Sequence, residues 1–317
     1  MSAPIPYAGT YSFLGISIPE ATFGTATAAT YYEKIESETF ETDPGYKPIP
    51  LIGGTRAENQ QSYGDEQAAV GGFVKPFGPA NGPAYLAYAL GADIVTGTGP
   101  YVHTMTPKEA GIPSFTVEKN LGGLTSMQFK GCVMNKFDLE LLTNAPARMT
   151  ADILPQIDTT PFTPSTPSFV ADSPFALANY SVSIFGVANP LVRSIKLSID
   201  NKAKNTFTFS GVRYSTLNFA SSRVVTGEVV VILQSMATQY ADAMAGTYGA
   251  LVATLSQGSA ASCVFTLPKI QWGKPSQPVK LGELILQTLP FTAFFIAGQP
   301  YDIQAVVTNS KTTAYCS

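Results

Sequence analysis

Short runs rich in Val, Ile, Thr and Phe alternate with turn residues along most of the chain, the punctuation of a mainly β protein. The runs at 133–142, 181–185, 193–200, 206–209, 224–233, 264–270 and 301–307 predict strands. Residues 193–200 carry the clearest period. Ile195, Leu197 and Ile199 point one way, and Lys196 and Ser198 the other, as in a strand with one buried face. Residues 229–233 are apolar throughout, which predicts a strand covered on both faces. Helix signals are few. Asn81 suits an N-cap before the run 84–90, Pro83 suits the first turn, and Gly91 suits the C′ position. A second short helix is predicted over 236–245, closed by Gly246.

Residues 1–30 are rich in Ala, Thr, Gly and Pro and predict an extended arm. Tyr7, Tyr11, Phe13 and Phe23, followed by Tyr31 and Tyr32, are too many aromatics for a free tail. The arm is therefore expected to dock on its own domain or on a neighbour. An acidic cluster follows, Glu33, Glu36, Glu38, Glu41 and Asp43. It reads either as a solvated strand pair or loop, or as an acidic surface facing a channel or a partner. Five prolines in 155–178 cannot donate to a ladder, so this stretch predicts a connector or an edge-tracing loop. The expected organisation is an arm at 1–30, a first domain at 31–155, a Pro-rich linker at 156–178 and a second domain at 179–317.

The two halves share their punctuation. Gly54-Thr55-Arg56, a glycine-bearing strand at 70–74 and a helix closed by Gly91 match Gly211-Val212-Arg213, a strand at 225–229 and a helix closed by Gly246. Gly72 to Gly91 and Gly227 to Gly246 each span 19 positions. Phe129 and Leu154-Pro155 correspond to Phe265 and Leu289-Pro290. The first half carries about 19 extra residues between Gly91 and Phe129, read as a Gly-rich loop holding Gly97, Gly99 and His103. The pattern predicts an internal duplication of a β-sandwich or small barrel with one helix packed on it.

A hydrophobic content of 45% over 317 residues excludes a disordered chain and allows one large or two ordinary domains. Charged residues are 13%, against ~25% in ordinary soluble proteins, so much of the surface is expected to be buried against partners. The net charge of −3 and the lack of a basic run argue against ordinary nucleic-acid binding. A surface that DNA merely slides past would be neutral or acidic. Cys132, Cys263 and Cys316 are odd in number and widely spaced, which reads as buried or tail thiols in a reducing compartment. The N-terminal residues do not read as a signal peptide, and no apolar stretch reaches the ~18 residues of a membrane span.

Candidate chemistry is sparse. His103 is the only histidine and reads as a polar surface residue of the extra loop. No G-x-S-x-G, P-loop or dinucleotide fingerprint occurs, and no cofactor or metal site is expected. Gly71-Gly72 and Gly122-Gly123 read as bulges or turns. Glu118, Asp138, Glu140 and Glu228 are the candidate carboxylates, and on strands they read as solvent- or interface-facing. Trp272 reads as core packing rather than an interface anchor, and Arg56 and Arg213 as equivalent structural residues each paired with an acid.

Taken together, Thr22-Phe23-Gly24-Thr25, the Gly-x-Arg steps, the glycine-bearing strand before each helix, Pro113 to Glu118 with Phe129 to Val133, the strand at 194–201 and the Leu-Pro endings resemble the tail tube proteins of long-tailed (siphovirus-type) bacteriophages, in their two-domain form. The resemblance covers most of the chain and rests on order and style. It implies a structural, non-enzymatic virion protein whose domains add sheet to an inner β-barrel. Six domains would close a ring, so a two-domain chain would form trimeric, pseudo-hexameric rings that stack into a tube for DNA. Implied partners are other copies of itself, the tail terminator, baseplate and tape measure proteins, and DNA held without sequence preference. The implied location is the virion tail, assembled in the host cytoplasm. The alternatives are a baseplate hub, head–tail adaptor or fibre subunit, and a carbohydrate-binding module or secreted β-rich enzyme.

Overall fold

The computed structural model describes residues 9–54, 56–122, 125–236, 238–299 and 301–316. Tyr7, Thr55, Gly123 and Ala237, each part of a sequence expectation, lie outside the described residues. The first half runs β1 (Phe13–Ser17), β2 (Ala29–Glu33), β3 (Ser37–Glu38), β4 (Glu41–Asp43), β5 (Tyr46–Pro50), β6 (Asn59–Gly64), β7 (Ala68–Pro76), α1 (Gly82–Leu90), β8 (Gly91–Thr96), β9 (Tyr101–Pro107), β10 (Ser114–Leu121), β11 (Thr125–Leu142) and β12 (Ala145–Leu154). After β13 (Ile157–Thr159), the second half runs β14 (Tyr180–Ile184), β15 (Val187–Ala188), β16 (Val192–Asp200), β17 (Ala203–Thr206), β18 (Leu217–Ala220), β19 (Val224–Ile232), α2 (Gln239–Ala245), β20 (Tyr248–Ser256), β21 (Ser262–Trp272), β22 (Leu286–Ala293) and β23 (Gln304–Asn309). The protein is mainly β, as its alternating pattern predicts, and its pairings are antiparallel apart from isolated bridges.

The strands stack as two layers. One is a continuous ladder in the order β3/β4, β7, β12, β11, β16, β19, β22. It passes from the first half to the second at β11–β16 without a break. The other layer holds the ladders β2–β1–β10–β11 and β15–β14–β20–β21–β23–β9–β8. The long strands β11 and β21 pass between layers, their first parts pairing with β10 or β20 and their last parts with β12 or β22. Phe137, Leu139, Leu197, Val229, Phe265, Leu267 and Phe291 fill the space between. Burying side chains of this size stabilises by about 1.5–3 kcal/mol each.

The two halves share a pairing scheme. In the first, β1 pairs with β10, β7 with β12 and β11 with β12; in the second, β14 pairs with β20, β19 with β22 and β21 with β22. Irregularities recur as well. Register shifts between Phe115 and Val117 in one half and between Gly249 and Leu251 in the other. It shifts again after Met134, which pairs with Ile153, and between Trp272, which pairs with Phe291, and Ser276, which bridges Thr288. After β4 the Gly45 N–H donates to Asp43 Oδ1 at 2.8 Å, and after β16 the Lys202 N–H donates to Asp200 Oδ1 at 2.9 Å. Both turn residues have positive φ, 62° and 46°.

This scheme corrects the residue matches read from the sequence. Gly71, under the Phe40 ring, faces the core, as does Gly227 under the Phe291 ring. Gly72 sits on the opposite face, so matching it to Gly227 slips the strand by one residue and flips every side chain. By their bulges, Phe129 corresponds to Leu267 and Leu289 to Ala151. Gly71 and Gly72 are not bulges: β7 pairs with β12 in unbroken register, and the Cβ of a residue at 72 would lie 2.6 Å from the Ala151 carbonyl oxygen.

Other expectations shift for local reasons. The arm does dock on its own chain, but residues 13–17 of it are an inner strand, β1, between β2 and β10. The extra loop is a hairpin, β8–β9, whose second strand pairs with β23 of the other half. The strand expected at 206–209 lies earlier, at β17, and Phe209 is exposed in the following turn, where the Thr208 and Thr216 hydroxyls meet. The strand expected at 301–307 begins at Gln304, and the second helix begins at Gln239. β19 is buried on one face only, with Val230 and Ile232 half-covered on the other. The Pro-rich stretch is not a free connector. β13 joins β11, Phe175 is buried, and Asp172 accepts from the N–H groups of Ala80 and Asn81 at 3.0 and 3.3 Å. Asn81 makes no side-chain cap, so the N-terminus of α1 is held by Asp172 from this stretch. Every residue of α1 is buried, as befits a helix that is apolar all round. None of α2 is.

Candidate functional site

The continuous ladder buries one face and opens the other to solvent. Strand alternation places Arg148, Thr150 and Asp152 of β12, Lys136, Asp138 and Glu140 of β11, Lys196, Ser198 and Asp200 of β16, Thr226 and Glu228 of β19, and Thr288 and Thr292 of β22 on the open side. Register lines them up in rows. Arg148 stands opposite Glu140, Glu140 opposite Lys196, and Lys196 opposite Glu228. A second row runs Asp152, Lys136, Asp200. Between them runs Thr150, Asp138, Ser198, Thr226, Thr292.

Charge therefore alternates across the strands. Lys196 Nζ lies 3.2 Å from Glu140 Oε1, and Lys136 Nζ 2.8 Å from Asp138 Oδ2. Arg148 reaches Glu36 at 2.6 Å on the edge segment. Cross-strand pairs of opposite sign contribute about 0.2–1 kcal/mol each. Carboxylates outnumber cations on the face, so its residual sign is negative. Partial desolvation pushes the Asp152 carboxyl above its ordinary range, with Asp138 and Asp200 adding to the effect, while Asn135 and Lys136 oppose it. A trough in this face is lined by Lys136, Glu140, Arg148, Lys196, Glu228 and Thr292. Along these rows the surface offers polar contact and no concentrated attraction for a polyanion.

Asp138, Glu140 and Glu228 thus stand on an open face, as strand acids were expected to. Glu118 does not. It is buried and accepts from the N–H of Ser165 at 3.1 Å and of Ala29 at 3.3 Å, fixing the Pro-rich stretch and β2 to β10. The acidic cluster divides likewise. Glu33 is buried, paired with Lys75 and accepting from Tyr85 Oη at 2.7 Å, while Glu41 and Asp43 remain at the sheet edge. Burial and the Glu33 charge together hold the Tyr85 hydroxyl well above its ordinary range. Trp272 is core, 5.8 Å from the Phe185 ring and 6.2 Å from Phe291, which removes it as an exposed platform for sugar. Among the described residues Arg213 forms no salt bridge, although after Lys47 its charge helps lower the Asp65 carboxyl below its ordinary range. Its guanidinium donates to the carbonyl oxygens of Asp65 and Gly45 and covers the Tyr46 ring at 4.4 Å, joining the two halves.

His103 departs furthest from its sequence reading. It is fully buried, with Nδ1 2.9 Å from Asp93 Oδ2 and Nε2 2.9 Å from the Lys311 carbonyl oxygen. The ring thus bridges the Asp93 carboxylate and the Lys311 carbonyl through its two nitrogens. Asp93 also accepts from the Tyr315 N–H at 2.8 Å, so the group ties the C-terminal segment onto the β8–β9 hairpin. Glu20 was not singled out by sequence reasoning. Its carboxylate gathers Gly24 N–H, Ser114 Oγ, Thr116 Oγ1 and Gly131 N–H, at 3.0, 2.9, 2.8 and 2.9 Å, and so anchors the segment after β1. All three cysteines are free and buried. Among the described residues, no three His, Cys, Asp or Glu side chains are placed to hold a metal ion, and no helix is long and apolar enough to cross a membrane.

No curated protein matches the chain. The profile of the family described as Phage tail tube protein matches residues 12–293, which spans β1 through β22 and both halves of the continuous sheet. With that match over most of its length, the chain belongs to the phage tail tube protein family.

Proposed function

We propose that the chain is the major subunit of a phage tail tube, a non-enzymatic structural protein whose rings stack around a lumen that conducts DNA during ejection. The observation that carries this reading is the ladder from β3/β4 to β22, unbroken between the halves and open on one face whose charges alternate in sign with a small acidic excess. A sheet that already runs on from one half to the other is one arc of a barrel, and closing the barrel removes its exposed edges. The open face becomes the lumen wall. Its alternating rows leave DNA without a patch to adhere to, so the duplex slides rather than binds. The shared pairing scheme and bulges support an internal duplication, one unit running from β1 to β12 and the other from β14 to β22. Three chains then supply six units and pseudo-sixfold symmetry. Rings of itself, the terminator, baseplate and tape measure proteins are the partners, and the virion tail, assembled in the host cytoplasm, is the location.

Electron microscopy of the purified protein, with mass measurement, tests this. Threefold rings that stack into tubes are expected. A compact monomer at every concentration overturns the reading, and rings that stop at one layer move it to a hub or adaptor.

A further inference from the structure

The junction between the halves is a strand-to-strand seam whose register is known: Lys136 opposite Asp200, Asp138 opposite Ser198, Glu140 opposite Lys196. Each side of the seam has a counterpart elsewhere in the chain. The counterpart of β16 is the edge formed by β3 and β4. β16 pairs with β19 beside Gly227, and β3/β4 pair with β7 beside Gly71. The Asp43–Gly45 turn repeats the Asp200–Lys202 turn, which fixes Asp43 as the equivalent of Asp200.

The counterpart of the last part of β11 is the segment after β21. Met134 pairs with Ile153 and, past the bulge, Lys136 with Asp152; Trp272 pairs with Phe291 and, past the same bulge, Ser276 bridges Thr288. Lys274 is then the equivalent of Lys136. In the first half this strand is covered by β16, and Leu141 on it is buried. In the second half the equivalent of Leu141 is Val279, which is 75% exposed, with Leu281 and Leu284 exposed beyond it.

We infer that one copy joins the next through these two edges. Residues 36–43 of one chain add antiparallel to residues 274–280 of its neighbour, in the register of the internal seam, with Asp43 opposite Lys274 and Glu41 opposite Ser276. This deepens the ring reading and rests on it. Charge favours the pairing: the 274–280 edge carries Lys274 and Lys280, and the other edge Glu41 and Asp43. Ser276 turns both its N–H and its carbonyl toward β22, so Gln277 turns its own outward. Phe40, whose ring lies in the core, turns its backbone N–H and carbonyl outward on the other edge. In the single chain its N–H is held by Glu38 Oε2 at 2.9 Å and its carbonyl by Lys119 Nζ at 2.9 Å. These side chains guard the edge until the neighbouring strand replaces them.

Glu41 and Ser276 fall at a non-hydrogen-bonded pair, where Cα atoms approach to about 4.5 Å, within reach of a disulfide. The test is oxidation of the full-length double variant Glu41→Cys/Ser276→Cys under conditions where rings form. Covalent multimers up to the ring size are expected on a non-reducing gel. Glu41→Cys/Lys280→Cys, displaced by about 13 Å along the strand, should give none. Lys274→Glu, at an exposed site, should lower ring formation at low salt at least tenfold, with partial recovery in Lys274→Glu/Asp43→Lys. Rings that persist without the 41–276 cross-link overturn the seam and leave the ring reading standing. Absence of rings from the unaltered protein overturns both.

Discussion

Asp93 Oδ2 lies 2.9 Å from His103 Nδ1, and both side chains are wholly shielded from water. They come from the two strands of the β8–β9 hairpin, and through Lys311 and Tyr315 they hold the C-terminal segment in place. Removing one member of such a pair leaves the other buried without its hydrogen-bond partner, a loss of about 1–3 kcal/mol. His103→Ala is expected to lower the denaturant midpoint by that order and to expose residues after β23 to protease. Asp93→Leu/His103→Leu should recover most of the loss, because neither buried polar group is then left without its partner. Equal instability of the single and double variants would show that packing, not the pair, holds the hairpin.

Gly71 and Gly227 occupy equivalent core-facing positions, yet their surroundings differ. An added Cβ at 227 would lie 2.2 Å from the Lys196 carbonyl oxygen and 2.4 Å from the Phe291 ring. At 71 the nearest atoms all belong to the Phe40 ring, at 2.1 Å and beyond. Overpacking of this kind costs about 1–3 kcal/mol, and more where backbone must move. Gly71→Ala is expected to be partly rescued by Phe40→Leu, and Gly227→Ala not to be rescued by Phe291→Leu. Urea midpoints of the four variants decide it, and rescue at both positions would mean that the ring alone sets the limit at 227.

The strand that sequence read best, β16, lies in the middle of a sheet with one wet face, where the period of two is imposed on Ile195, Leu197 and Ile199 by burial. The helix ends were legible too: Gly91 and Gly246 have φ of 98° and 67°, which glycine adopts without strain. His103 was not legible, because its partners Asp93 and Lys311 come from a hairpin whose burial depends on β23, far along the chain. The shared order of strands in the two halves was legible, but its phase was not. A pair of adjacent glycines gives no sign of which one faces the core, and that choice depends on Phe40, thirty-odd residues away in sequence. The open face was only half legible: Asp138, Glu140 and Glu228 read as outward-facing, but their alignment into alternating rows is set by pairing between the halves.

Asp152 gives that open face a dependence on pH. Asp152 is exposed on that face, yet partial desolvation, with Asp138 and Asp200 adding to it, raises its carboxyl above the ordinary value in the folded chain, against the Asn135 amide and Lys136. The native state therefore keeps this proton to higher pH than the unfolded chain does. Stability from this group is full below the unfolded pKa, falls as pH rises through the raised native value, and is level above it. Asp152→Asn removes the fall while keeping an acceptor for Asn135 Nδ2, which donates to Asp152 Oδ2 at 2.7 Å in the native protein. The variant is expected to match the unaltered chain near pH 3 and to exceed it in urea midpoint at pH 7. If instead the unaltered chain is the more stable at pH 7, by a margin that widens with pH, the Lys136 charge opposite Asp152 outweighs its desolvation. The face would then be held together by its ionic rows rather than merely balanced by them.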